Sequence, residues 1–188
     1  MPSGKTHDRI TLWGLPWVVL LALFGTRNAT LALIISGMYL FGGLMFGPDL
    51  DIYSIQYKRW GWLRWLWLPY QKSLRHRSKL SHGFLVGTTL RLVYFLTVLL
   101  IVGMIGVAIA QLIWGFTWNW QAVGQDTWLW LGENRDRCLA VFVGLELGAM
   151  SHALADTLGS RYKKWQQQEQ ARRQTQKAPQ TRKRKFKP

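Results

Sequence analysis

Cysteine is nearly absent from this chain: Cys138 is the single one in 188 residues. No disulfide can close within the chain, and a structural zinc centre built on thiolates is excluded. Acids are scarce as well. Nine Asp and Glu stand against 24 Lys and Arg, a formal net charge of +15. Histidines number four, at positions 7, 76, 82 and 152. Each lies within four residues of an Asp or inside the polar stretch 47–83. With so few groups able to hold a metal or move a proton, the place of each one carries information.

Apolar residues are abundant instead. Nearly half the chain (49%) is hydrophobic and it holds 12 Trp, a composition at odds with a small soluble domain. The apolar residues gather in uninterrupted runs rather than spreading periodically: 12–24, 29–46, 84–116 and 138–158. Runs of that length are read as membrane spans, so the expected fold class is all-α, a polytopic membrane protein with about four transmembrane helices. The first run is short and broken by Gly14 and Pro16, which also suits a signal-peptide core. No small-x-small cleavage pattern follows it, however. Gly25-Thr26-Arg27-Asn28 reads as a turn, and a slightly short span forming a hairpin with the second run fits better. The fourth run carries Glu146, Ser151, His152 and Asp156, so that stripe should face protein rather than lipid.

Charge orients the runs. Segment 47–83 has seven Lys or Arg against two Asp, and residues 161–188 have eleven Lys or Arg against Glu169. Segment 117–137 holds Asp126, Glu133 and Asp136 against Arg135 and Arg137. By the positive-inside rule the N-terminus, segment 47–83 and the C-terminus are cytoplasmic. Trp60, Trp62, Trp65, Trp67 and Tyr70 are read as an interfacial belt, with 59–70 lying along the headgroups. The expected organisation is one membrane-embedded metal-binding domain, 1–160, and a basic, disordered tail, 161–188, that begins as a continuation of the fourth helix, frays, is disordered from 170 and meets anionic lipid headgroups. Nucleic acid is not the expected partner, since no nucleic-acid fold is legible; the oligomeric state is not legible either.

This topology gathers the rare residues. His7 and Asp8 precede the first run, Asp49 and Asp51 follow the second, His76 and His82 precede the third. His152 and Asp156 share a face near the same end of the fourth by their i, i+4 spacing. Helical-bundle cores are known sites for metals held by Asp, Glu and His. The candidate ligands are therefore His7, Asp8, Asp49, Asp51, His76, His82, His152 and Asp156. Imidazole and carboxylate together suit a divalent metal, zinc first, with iron or manganese as alternatives. Each residue has a plainer reading beside this one. Asp49 and Asp51 could cap the turn after Gly47-Pro48, His76 could be solvated among its basic neighbours, and His152 with Asp156 could be a packing pair. Arg91 either snorkels to the interface or clamps an anionic group, and Glu146 could pair with it or carry a proton.

The order of these motifs is Pro48-Asp49-Leu50-Asp51, His76-Arg77, Ser81-His82-Gly83 and His152-x-x-x-Asp156, after an N-terminal His7. Over residues 1 to about 160 it resembles a bacterial family of metal-binding membrane proteins of unknown function. It is also similar to the LexA-binding, inner-membrane-associated metal-dependent hydrolases, in which the two central histidines stand closer together. The resemblance implies metal binding and, through the hydrolases, metal-assisted cleavage of a membrane-associated ester or phosphodiester. Asp49, Asp51 and Arg91 are the candidate catalytic residues, one Asp as ligand or general base and Arg91 or Arg77 on an anionic substrate. The alternatives are a non-catalytic protein whose metal ties helix ends together and, behind it, a transporter.

Overall fold

The computed structural model describes residues 4–74 and 78–177. Eight α-helices account for most of them: α1 Gly4–Thr26, α2 Ala29–Leu44, α3 Ile55–Arg59, α4 Leu68–Ser73, α5 Lys79–His82, α6 Val86–Trp114, α7 Trp120–Glu133 and α8 Arg135–Lys177. Two 3-10 segments, Pro48–Asp51 and Gly61–Trp67, complete the path between α2 and α4. No strand occurs among the described residues. Four segments are long and apolar enough to cross a bilayer: Thr6–Thr26, Ala29–Asp51, Val86–Trp114 and Arg135–Arg173.

The α1–α2 hairpin turns where the sequence placed it. Arg27 takes a positive φ of 49°, and Asn28 caps α2 by accepting from the N–H groups of Thr30 and Leu31 at 2.9 and 3.2 Å. Pro16 sits inside α1 and leaves the Leu12 carbonyl without its i+4 donor. Gly115, with φ of 67°, closes α6 in the left-handed cap geometry that its missing Cβ permits.

α2 and α8 share the largest interface, and α1 completes a three-helix core against both. Small residues make the close approach possible. A Cβ on Gly144 would stand 2.5 Å from Ile35 O, and one on Gly148 would stand 2.5 Å from Gly43 N. Gly144 and Gly148 are four residues apart on one face of α8, the small-xxx-small spacing that lets helix backbones meet. This contact fixes how high α8 sits against α2, and so the level of His152 relative to Asp49.

α6 does not join this core as an equal fourth helix. Its buried residues, Gly87, Thr88 and Arg91, all lie at its start. Beyond them it is apolar on every side, and a helix uniform in this way gains little from facing protein rather than lipid. At 29 residues it is about 43 Å long, more than a bilayer core requires. α7, capped by Asn119, has no buried residue.

Segment 55–73 folds back over the end of the core rather than lying flat along it. Trp67 is fully buried, and Trp60, Tyr57 and Tyr70 are buried with Phe46, Leu50 and Leu145. Trp67 stacks on Phe95 at 5.9 Å with an interplanar angle of 5°, and its ring centre is 5.1 Å from that of Trp60. Trp60 Nε1 donates to Met45 O at 3.0 Å, and the Tyr94 hydroxyl donates to Leu66 O. The interfacial reading of this aromatic group therefore divides: Trp62 and Trp65 are exposed, whereas Trp60, Trp67 and Tyr70 form core. Mixed helical and 3-10 turns set the inward face here, which an aromatic-belt pattern does not reveal.

At the far end α8 continues to Lys177, where the tail was expected to begin as a continuation of the fourth helix and then fray. Residues 161–177 are rich in Gln, Arg and Lys and contain neither Gly nor Pro, so nothing in them stops a helix. Glu169 and Arg173 add an i, i+4 pair at 3.4 Å. Residues 178–188 lie outside the described residues.

Candidate metal centre

Four separate parts of the chain bring imidazoles and carboxylates to one end of the core. α1 supplies His7, the 3-10 turn after α2 supplies Asp49, α5 supplies His82, and α8 supplies His152 and Asp156. Their ligand atoms form two groups, His7–His152–Asp156 and Asp49–His82–Asp156, each with all atoms within 4.8 Å of one another. His7 Nε2 lies 3.2 Å from Asp156 Oδ1, and His152 Nε2 lies 3.1 Å from Asp49 Oδ2. His82 Nε2 lies 3.8 Å from Asp49 Oδ1. Two ligand atoms on one tetrahedral ion at usual bond lengths are about 3.3–3.4 Å apart, so these separations suit a shared cation. His152 Nε2 is buried and, despite its nearness to Asp49, has no hydrogen bond among the described residues. A buried ring nitrogen left without a hydrogen bond beside Asp49 is an orphaned polar atom of the kind a bound metal would satisfy.

The surrounding residues orient the ligands. Ser81 Oγ is 2.8 Å from His82 Nδ1 and 3.4 Å from Ser78 O. One hydroxyl proton satisfies both contacts if Nδ1–H donates to Ser81 and Ser81 donates to Ser78. That tautomer leaves His82 Nε2 as the bare nitrogen a metal needs. Gln56 Nε2 donates to Gly43 O at 2.8 Å and stands 3.4 Å from His152 Nδ1.

The other candidate residues fall elsewhere. Asp8 faces away and forms a two-point ion pair with Arg59, Oδ1 to Nη1 at 3.0 Å, while Arg59 also donates to Leu44 O at 2.7 Å. It ties α1 to α3 rather than joining either group. Asp51 is buried on the side of Tyr70 and Arg91. Tyr70, in the same place, is pushed up to about 12 by burial, with the nearby guanidinium of Arg91 opposing the shift. His76 and Arg77 lie outside the described residues.

Arg91 is buried rather than extended to the surface. It is 1% exposed, and its guanidinium donates to Ser81 O at 2.9 Å and Thr88 Oγ1 at 3.0 Å. Glu146, across the same small cavity, accepts from Leu85 N at 3.0 Å, where Leu85 holds a strained φ of 58°. The two buried charges fix the α5–α6 turn and with it His82. Arg91→Ala should cost about 3–5 kcal/mol of stability, as breaking a buried charged network does. Arg91→Lys should restore little, because a single ammonium cannot match the planar fork. Thermal unfolding of the two variants in detergent checks this; near-wild-type stability for either would contradict it.

Two contributors had sequence signals that were not used for the site. Arg161 and Lys164, read as part of a basic tail, line a cavity of about 400 Å³ together with His82, Asp156, Thr157 and Ser160. Gly144-x-x-x-Gly148 is visible in the sequence as a helix-packing motif. Gln56 has no such signal.

The fold and this site define a class: an all-helical protein with spans apolar enough for a membrane and a His/Asp group close enough to hold a metal. The chain belongs to the family described as Uncharacterized metal-binding protein (DUF2227), which matches residues 2–166. It is also 39% identical over 57 residues to an uncharacterized protein of Aquifex aeolicus (strain VF5), across 30% of this chain and 40% of that one. The matched stretch thus spans less than half the length of that relative. No solved structure matches the chain.

Proposed function

We propose that this protein is a membrane-embedded, metal-dependent hydrolase of a membrane-associated phosphodiester or related ester. The observation that carries the reading is the cavity of about 400 Å³ at the ligand group, in which His82 and Asp156 share the lining with Arg161 and Lys164. A metal that only ties helix ends together has no use for an open basic cavity, and a hydrolase of anionic esters does. A divalent ion there, zinc first, would lower the pKa of a bound water and polarise a phosphoryl oxygen. The protein's own residues do the rest. Arg161 and Lys164 attract and orient the anionic group, Ser81 holds the His82 ring, and Asp49 stands between His82 and His152 as ligand and proton acceptor. The resemblance to inner-membrane metal-dependent hydrolases points the same way.

In this reading the four apolar segments insert in a bacterial inner membrane with both termini cytoplasmic. The basic residues beyond 160 then face anionic headgroups, at ~1 kcal/mol for each one near the surface. The test is hydrolysis of bis(4-nitrophenyl) phosphate by detergent-purified protein with added Zn²⁺ or Mn²⁺. Turnover should depend on the metal and fall by about 100-fold or more in Asp49→Asn. Folded, metal-loaded protein that leaves the phosphodiester intact would overturn the hydrolase. If stripping the metal then unfolds the chain, the tie between helix ends is the better reading.

A further inference from the structure

We infer that the centre holds two divalent cations rather than one, with Asp156 shared between them; this rests on the metal-binding reading above. The first observation is the pair of imidazoles. His7 and His152 stack with ring centres 4.0 Å apart and an interplanar angle of 20°. Two imidazoles bound to one tetrahedral ion must splay, because their nitrogens converge on a point. At nitrogen–metal distances of about 2.0–2.1 Å their ring centres lie about 5 Å apart. Nearly parallel rings at 4.0 Å do not converge in that way. That spacing matches the ≈ 3.5–4 Å between ions in two-metal hydrolytic sites.

The second observation is where each ring's Nε2 finds its carboxylate. His7 Nε2 faces Asp156 at 3.2 Å, whereas His152 Nε2 faces Asp49 at 3.1 Å. Each stacked ring thus has its own Asp. The third is the grouping of ligand atoms. Asp156 belongs to both trios, once with His7 and His152 and once with Asp49 and His82. A carboxylate has two oxygens and commonly bridges; an imidazole with one available nitrogen does not.

The residues therefore divide unequally. One cation takes Asp49 and His82, whose ligand atoms lie within 4.8 Å of each other and of Asp156, with His152 Nε2 beside Asp49 at 3.1 Å, a set of the kind that holds a metal tightly. The other takes His7, with Asp156 reaching both. The second has fewer protein ligands, so it binds more weakly and keeps more positions for water or a phosphoryl oxygen. Asp156 and His82 both line the basic cavity, so Arg161 and Lys164 face the carboxylate that the two cations share. The ligand class is a small first-row divalent cation that accepts imidazole and carboxylate together.

Metal titration of untagged, detergent-purified chain by calorimetry, with Mn²⁺ as the probe, decides the number. Two ions per chain are expected, one bound at least 10-fold more tightly than the other. Electron paramagnetic resonance of the fully loaded protein should show a spin-coupled pair. His7→Ala should reduce the stoichiometry to one and give the six-line signal of an isolated ion; His7→Gln, closer in shape, should do the same if the alanine variant does not fold. One ion per wild-type chain, or an uncoupled signal at two, overturns the pair and leaves metal binding standing. No bound ion at all overturns the metal-binding reading itself.

Discussion

His152→Ala should strip the centre of its metal, lowering affinity by roughly 100-fold or more, since changes to the outer shell of such sites alone cost 10–100-fold. His152 is the hub of the arrangement. It is 3% exposed, stacks on His7 at 4.0 Å, and its Nε2 reaches Asp49 at 3.1 Å. Truncation removes a ligand and leaves Asp49 and Asp156 facing each other with less compensation. Asp8→Asn is the contrasting change. Its carboxylate pairs with Arg59 at the half-exposed edge, so metal content should stay at the wild-type level. Metal analysis of the two purified variants by mass spectrometry measures both. Equal metal in His152→Ala and wild type would sink the assignment of α8 to the site.

Gly148→Leu should be the most disruptive single substitution in the apolar part of the chain. A side chain there meets backbone, with Gly43 N at 2.5 Å and Gly42 C at 2.9 Å from the added Cβ. Flexible neighbours could rotate away, but two helix backbones cannot, so α2 and α8 must separate or slide. Overpacking in a core costs about 1–3 kcal/mol, and contact with backbone puts this case at the upper end or beyond. The metal site should fail with it, because the same contact sets His152 against Asp49. Gly103→Leu is the control. Nothing lies within 4 Å of Gly103 on α6, so the same added bulk there should be tolerated. Thermal melting and gel filtration in detergent compare the two, and similar behaviour would contradict the packing argument.

Several features of this protein were legible without coordinates because they depend on local chemistry. Four apolar runs, the turn at Gly25–Asn28 and the all-helical class follow from hydropathy and turn residues. The convergence of rare polar residues also followed, since alternating spans return the chain to the same end each time. His7, Asp49, His82, His152 and Asp156 were all candidates on that ground, and the fold places them together. The sequence could not sort them from Asp8 and Asp51, which lie one and two positions from two of them. Which way a side chain turns at the start of α1 or in the short irregular segment 47–54 is set by neighbours distant in sequence, such as Arg59 for Asp8 and Tyr70 beside Asp51.

Tertiary structure alone decided the rest. It gave Arg91, read as either snorkelling to the interface or clamping an anionic group, buried hydrogen bonds to Ser81 and Thr88, because burial and partners are properties of a contact and not of a position in the chain. It turned Trp60 and Trp67 inward while leaving Trp62 and Trp65 exposed, for the same reason. It also packed three of the four long apolar helices together and fastened α6 at one end, since hydropathy reports that a helix can enter lipid but not whether it prefers lipid or protein beside it. By itself, then, the sequence determined which residues could reach the end of the core. The close α2–α8 contact at Gly144 and Gly148 decided their heights and faces, because a site held within a few tenths of an ångström depends on how backbones pack.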